Sequence, residues 1–342
     1  LTRKSDTVVA GPRNLISDVA GISVGNAENW LALTGTTVIL PDQPAVAAVE
    51  IGGGAPGSRE TALLDANNLV EHVHAVVLSG GSVFGLDAAS SVTTDLAKRG
   101  TGFTFGTQPV PCPVVPTAIL FDIMNGGAKW PDDEPPYRDL GREALAAASA
   151  DFALGNKGAG LGALAGQLKG GLGSASARWR DFTVGAIVAV NSVGSCVIPG
   201  TSRLWARDLA FGDEMGPEQD RQGARIDTHP LQDSKFDPKP GQNTTIAVVA
   251  TDATLTRVEA KRFAIMARDG LGRAIRPIHT PFDGDTVFAL ATGKKALPEQ
   301  RQAAIAGLGS LAADTLTRAI GRALWLAEPA GGHPSYREKF RL

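Results

Sequence analysis

The sequence predicts a mixed α/β (α+β) chain, and three observations carry that prediction. Apolar runs, most of them rich in β-branched residues, recur at 34–41, 45–51, 75–78, 183–190, 244–250 and 287–292, as strands require. Helical periodicity occupies 86–99, 139–150, 256–270 and 299–327. The chain also carries 41 glycines against 6% aromatics, which suits tight turns and close backbone approaches.

Taken in order, residues 14–25 alternate enough for a first strand that turns at Ala20-Gly21. Thr34 to Leu40 is a second strand, stopped by Pro41, and Ala45 to Ile51 is a third. Pro41-Asp42-Gln43-Pro44 has the composition of a turn that pairs the two as a hairpin. Gly52 to Glu60 is too glycine-rich for regular structure. It lacks the Lys-Ser/Thr of a P-loop and the spacing of a dinucleotide fingerprint, so close packing or a substrate-facing wall suits it better.

The strand 75–78 runs through Ser79-Gly80-Gly81-Ser82 into the helix ending at Gly100. That shape resembles a nucleophile elbow with Ser79 or Ser82 as candidate. The G-x-S-x-G order is absent, however, and no histidine has general-base context, so a structural turn is the preferred reading. Proline-punctuated residues 110–115 lead to an apolar segment at 116–122, and 139–150 is an Ala-rich helix. Glycine-rich loops follow at 155–163 and 167–176, with Lys157 and Lys169 among the glycines rather than on a charged face.

The strand 183–190 ends in Asn191, which is both a turn former and a side-chain donor of the kind that stabilises an oxyanion. Residues 199–240 are polar and aperiodic, far longer than an ordinary connection, and read as a functional loop or a cleavable segment. Thr256 with Glu259 forms a capping box at a helix start. After a short strand at 274–279 comes Asp283-Gly284-Asp285. This is either an Asp-Gly turn or a carboxylate pair that shares a proton or holds a nearby hydroxyl and ammonium. The last residues are expected to form a mobile tail.

A net charge of −2 gives no electrostatic reason to expect nucleic acid or an anionic membrane as partner. No apolar run is long enough to span a bilayer, and Leu1 to Ser5 leads into no secretory core, so a cytoplasmic location is expected. Because the chain starts at Leu, a leader removed earlier stays open. Two cysteines and five histidines make no metal-ligand pattern, His72-x-His74 included, so no metal or organic cofactor is expected.

One junction admits two readings. The polar run 237–243 ends abruptly in the apolar, β-branched segment Thr244 to Ala250. It is a turn feeding a buried strand, or Thr244 is a nucleophile released by cleavage after Asn243. A threonine at a chain terminus can use its own α-amine as base.

Taken together, the ordered segments 16–25, 34–41, 53–57, 77–86, 158–176, 243–252 and 273–293 resemble the DmpA family of self-processing aminopeptidases. That family includes L-aminopeptidase/D-amino-acid esterases, β-peptidyl aminopeptidases and nylon-oligomer hydrolase. The resemblance implies a four-layer αββα sandwich, akin to N-terminal-nucleophile hydrolases and to ornithine acetyltransferase. It implies a single domain, 1–342, cut at Asn243–Thr244 into 1–243 and 244–342. It further implies Thr244 as nucleophile, Asn191 at the oxyanion, Lys169 lining the site, and Asp283 and Asp285 as the acidic pair. The Asn-Thr junction and Asp-x-Asp pair are similar to the nylon-oligomer hydrolase variant. Gly53, Gly54 and Phe121 are expected at the substrate pocket. Phe121 stands where several members have tyrosine and cannot donate a hydrogen bond.

The implied partner is a small peptide or amide, and the implied assembly a homo-oligomer of α/β heterodimers, tetrameric or larger. An acyltransferase of the ornithine acetyltransferase type and an uncut, non-enzymatic binding protein are the alternatives.

Overall fold

A computed structural model describes residues 7–130, 134–219, 222, 229–235 and 243–342. The strands are β1 (Val9–Ala10), β2 (Ile22–Asn29), β3 (Thr34–Pro41), β4 (Ala45–Ile51), β5 (Gly57–Arg59), β6 (His72–Val73) and β7 (Val76–Ser79). They continue as β8 (Thr117–Ile119), β9 (Leu164–Ala165), β10 (Leu168–Lys169), β11 (Gly171–Trp179), β12 (Phe182–Asn191), β13 (Thr244–Ala253) and β14 (Thr286–Lys295). The helices are α1 (Ala88–Lys98), α2 (Tyr137–Ala146), α3 (Arg257–Ala274), α4 (Arg301–Leu326) and α5 (Tyr336–Phe340).

The larger sheet has the order β1-β11-β12-β13-β14-β4-β6, and the smaller β2-β3-β7-β8-β5; β9 and β10 form a separate pair. All pairings in the larger sheet are antiparallel except β13 with β14. Successive side chains of a strand point to opposite faces, and the core divides accordingly. Along β13, Ala247 and Val249 join Phe263, Ala264, Leu316 and Ile320 of α3 and α4. Ile246, Val248 and Ala250 face Ile39, Val76 and Leu78 of the smaller sheet. The outer face of that sheet, with Val38 and Val77, packs on Val92 and Leu96 of α1 and Leu140 and Ala144 of α2. The layers are therefore α, β, β, α, as the fold class requires. Strands covered on both faces read as continuous apolar runs, which is why β13 and β14 stand out in the sequence.

Small residues set the layer spacing. A Cβ on Gly173 would lie 2.0 Å from the Ala319 carbonyl oxygen of α4. The Gly/Ala/Ser run 171–177 is thus a strand whose missing side chains admit the helix, not the loop its composition suggests.

Other expectations also change. β3 and β4 do not pair: β3 lies between β2 and β7, whereas β4 lies between β14 and β6. The Pro41-to-Pro44 turn carries the chain from one sheet to the other. Residues 16–18 form a 3-10 turn, with the Ile16 N–H on Ser174 Oγ at 2.8 Å, and the first long strand starts only at Ile22. No strand forms at 274–279, where Arg276 makes one isolated bridge to Ser195. The tail is not loose, because α5 buries Tyr336 completely and is capped by Ser335 Oγ. The Thr256–Glu259 capping box is present in both directions.

Candidate active site

The register of the larger sheet assembles the site at one end of β13. Asn191, the last residue of β12, pairs with Thr244, the first of β13. On the other side, the parallel β14 begins with Thr286 opposite Ile246, so the 283–285 turn falls beside 243–245. Asn243 forms a bridge with Asp283. Three segments far apart in sequence therefore meet within one strand spacing.

The Asn243–Thr244 peptide bond lies at that meeting point. Thr244 is buried, and its Oγ1 donates to the Asn243 carbonyl oxygen at 2.5 Å. The Gly284 N–H donates to the same oxygen at 3.0 Å, while the Asn243 N–H donates to Phe282 O at 3.2 Å. The hydroxyl thus rests against the carbonyl group of the peptide joining it to Asn243, with a backbone donor already on the carbonyl oxygen. The polar run 237–242 lies outside the described residues.

Both carboxylates of the acidic turn are buried and saturated with donors. Asp283 Oδ2 accepts the Thr280 N–H at 2.8 Å and Thr280 Oγ1 at 2.7 Å, and Oδ1 accepts the Val193 N–H at 3.3 Å. Asp285 Oδ1 accepts the Thr245 N–H at 2.9 Å; Oδ2 takes the His279 N–H at 3.1 Å and lies 2.8 Å from His279 Nδ1. Burial first, and then the neighbouring Asp285 charge, push the Asp283 carboxyl above the usual carboxylate range.

Asn191 is held with its amide oriented. Its Oδ1 accepts the Leu164 N–H at 2.9 Å, Asn125 Nδ2 at 3.1 Å and Lys235 Nζ at 3.0 Å, while its Nδ2 donates to Phe121 O at 3.0 Å. Three donors converging on one atom identify it as the oxygen, and the amide nitrogen keeps a second N–H.

Lys169 lies behind this group. Its fully buried ammonium donates to the carbonyls of Gly160, Ala163 and Gly170 at 3.0, 2.9 and 2.8 Å, which uses all three of its protons. It fastens the glycine loops that carry Leu164 to Asn191. Burial drives its pKa down to about 7, with the Asp122 carboxylate opposing.

A cavity of about 370 Å³ opens beside Thr244, lined by Phe121, Ile119, Val83 and Phe282 among others. Ser82 also lines it, in a left-handed conformation with φ of 53°. Gly53 and Gly54 do not; they pack on the backbone of Asp283 and Pro281, and residues 55–58 form the wall instead. Ser79 is buried with its hydroxyl on Thr36 Oγ1 at 2.8 Å, away from this cavity's lining. Lys157 sits near Glu28 at 3.4 Å.

Lys235 belongs to the site, and no sequence pattern marks it. It lies in the aperiodic polar stretch, and only proximity to Asn191 and Asn243 distinguishes it. Among the described residues no three His, Cys, Asp or Glu side chains gather as metal ligands, and no helix is long and apolar enough to cross a membrane. His74 is buried, with Nδ1 accepting the Val114 N–H at 3.0 Å.

Comparison with known proteins shows the family. The sequence model described as Peptidase family S58 matches residues 14–337. An uncharacterized aminopeptidase of Mycobacterium tuberculosis (strain H37Rv) is 41% identical over 96% of this chain and 98% of its own length. A 6-aminohexanoate-oligomer endohydrolase of Kocuria sp. is 31% identical over 84% of this chain and 78% of its own length. Among solved structures, a Burkholderia sp. beta-aminopeptidase matches with a TM-score of 0.70 and 22% identity, covering 98% of this chain and 94% of that one. The L-aminopeptidase D-Ala-esterase/amidase of Ochrobactrum anthropi, a variant of the Ntn hydrolase fold, matches at 0.67 and 24%, covering 96% and 90%. At these identities the two structures speak for the fold.

Proposed function

Given that the chain belongs to peptidase family S58, the DmpA family, we propose that it is a self-processing amidohydrolase with Thr244 as its N-terminal nucleophile. The observation that carries the reading is the Thr244 hydroxyl lying against the Asn243 carbonyl while the Gly284 N–H holds that oxygen.

In the first stage Thr244 Oγ attacks the Asn243 carbonyl carbon. The C–N bond breaks, an ester to Oγ forms, and the hydroxyl proton ends on the nitrogen that becomes the Thr244 α-amine. Water then hydrolyses the ester, leaving the Asn243 carboxylate and a free Thr244 terminus. The Gly284 N–H stabilises the oxyanion of this stage, an effect worth roughly 3–4 kcal/mol for one good donor.

In the second stage the freed α-amine takes the hydroxyl proton as Oγ attacks a substrate amide, and the leaving amine departs protonated. Water hydrolyses the resulting acyl-enzyme. Asn191 sits opposite Thr244 with a second amide N–H that takes no acceptor among the described residues, and we assign it to the substrate oxyanion. Asp285 fixes the backbone at Thr245, and Asp283 fixes the turn that carries Gly284. Phe121 supplies an apolar wall rather than a donor, so the oxyanion depends on Asn191 and backbone N–H groups.

Small peptides and ω-amino-acid oligomers are the proposed substrates, supported by the aminopeptidase and nylon-oligomer relatives. Denaturing gels of active protein should show two fragments, the smaller beginning Thr-Thr-Ile-Ala-Val on Edman sequencing. Thr244→Ala should stay intact and inactive. A fully active single chain would overturn the reading, and turnover by Thr244→Ala would redirect attention to Ser82.

A further inference from the structure

We propose that Lys235 is a positioning residue for self-cleavage, its ammonium tying the side chain of Asn243 to that of Asn191 across the end of the β12–β13 pair. The proposal rests on the self-processing reading above.

Lys235 reaches this place from an anchored backbone. Its N–H donates to Val193 O at 3.0 Å, and the Val193 N–H donates in turn to Asp283 Oδ1 at 3.3 Å. The turn before it is closed by the Ser234 N–H on Leu231 O at 3.1 Å. From this frame Nζ donates to Asn191 Oδ1 at 3.0 Å and also to Asn243 Oδ1. An ammonium has three donors and no acceptor, and bonds from a charged donor to an amide oxygen are roughly twice as strong as neutral ones.

The two amides it joins lie on either side of the bond to be cut. Asn191 faces Thr244, and Asn243 carries the carbonyl under attack. The Asn243 backbone is already gripped from the β14 side by Phe282 O and the Gly284 N–H. Lys235 grips its side chain from the β12 side, so the acyl half of the scissile peptide is clamped between both neighbouring strands. While protonated, the ammonium also sets a positive charge beside the residue on which negative charge develops; burial lowers the Lys235 pKa to about 7, with the Asp283 carboxylate opposing. Lys235 and Asn243 both lie N-terminal to the break, so this link serves the uncut chain, whereas Asn191 serves the substrate afterwards.

The test follows fragment formation after pulse-labelled cell-free synthesis of the full chain, read on denaturing gels, for wild type, Lys235→Met, Lys235→Arg, Asn243→Ala and the Lys235→Met/Asn243→Ala double variant. Lys235→Met should slow cleavage roughly 10- to 100-fold, less than the roughly 100- to 1000-fold loss of a donor on the oxyanion itself, because Lys235 acts through the Asn243 side chain. Arginine should restore part of the rate. The double variant should be no slower than the slower single, because both changes cut one link. A purely structural lysine would show neither arginine rescue nor this non-additivity. Cleavage of Lys235→Met at the wild-type rate, or rate losses that multiply in the double variant, would overturn the proposal. A wild-type chain that stays uncut while hydrolysing substrate would overturn the self-processing reading instead.

Discussion

The Asp285 carboxylate accepts the Thr245 backbone N–H at 2.9 Å, which ties the acidic turn directly to the residue after the candidate nucleophile. Its other oxygen accepts from the His279 backbone and faces the His279 ring. Asp285→Asn must turn an NH2 toward an N–H in either orientation. It should cost about 1–3 kcal/mol of stability, measured by urea unfolding in the uncut Thr244→Ala background. It should also lower hydrolysis by roughly 100-fold, measured in the processed enzyme. A variant with unchanged turnover would remove Asp285 from the machinery.

Gly284 faces Thr244 with no room for a side chain. A Cβ there would lie 2.7 Å from Thr244 Oγ1 and 2.7 Å from Ala55 O. Gly284→Ala should displace the hydroxyl and slow self-cleavage by about 100-fold, a shift of under 1 Å being enough. Fragment yield against time on denaturing gels checks this, with Gly272→Ala, whose Cβ would meet only Ile278 at 4.0 Å, as the control.

Lys169 makes stability depend on pH. Its folded-state pKa of about 7 lies below that of an ordinary lysine, so above pH 7 the unfolded chain binds a proton the folded chain lacks. Stability due to this group therefore rises with pH between about 7 and 10, with a limiting slope of about 1.4 kcal/mol per pH unit. Lys169→Met, compared with its parent in the Thr244→Ala background, should be less stable throughout because three carbonyls lose their donor. The difference should widen as pH rises from 7 to 10. Denaturant unfolding at several pH values measures it, and a constant difference would show that the ammonium stays charged.

Gly173→Val should drive β11 and α4 apart, since the new side chain would start 2.0 Å from Ala319 O. The expected loss is about 1–3 kcal/mol or more from overpacking, read as a lower thermal midpoint. A midpoint equal to that of the parent would mean that the two layers have slack the packing does not suggest.

The sequence makes strands buried on both faces easy to see and their partners hard to see. β13 and β14 are legible because continuous β-branched runs have few other uses, and the Thr256–Glu259 cap is legible because its signal is local. The partners of β3 and β4 are not, because Pro41 and Pro44 mark a turn without saying whether it stays within one sheet. β11 is hidden for a physical reason: its glycines answer to α4, which comes more than a hundred residues later. In the site, Thr244, Asn191, Asp283 and Asp285 converge because register does what spacing cannot display. Lys169 lies close by but spends its protons on backbone carbonyls. Lys235 has no local pattern at all; its meaning depends on Val193 and Asn191, which only the fold brings to it.

β13 lies in the middle of the larger sheet, with β12 before the Asn243–Thr244 bond on one side and β14 after it on the other. β14 is bordered in turn by β4, from the first quarter of the chain. A cut at that bond therefore yields two polypeptides threaded through each other like interlaced fingers. Such subunits are born already bound and have no search, docking or recognition step to perform. Mixing the two pieces after separate synthesis is a different problem, because the second must be slipped into a gap in a sheet that has no reason to stay open.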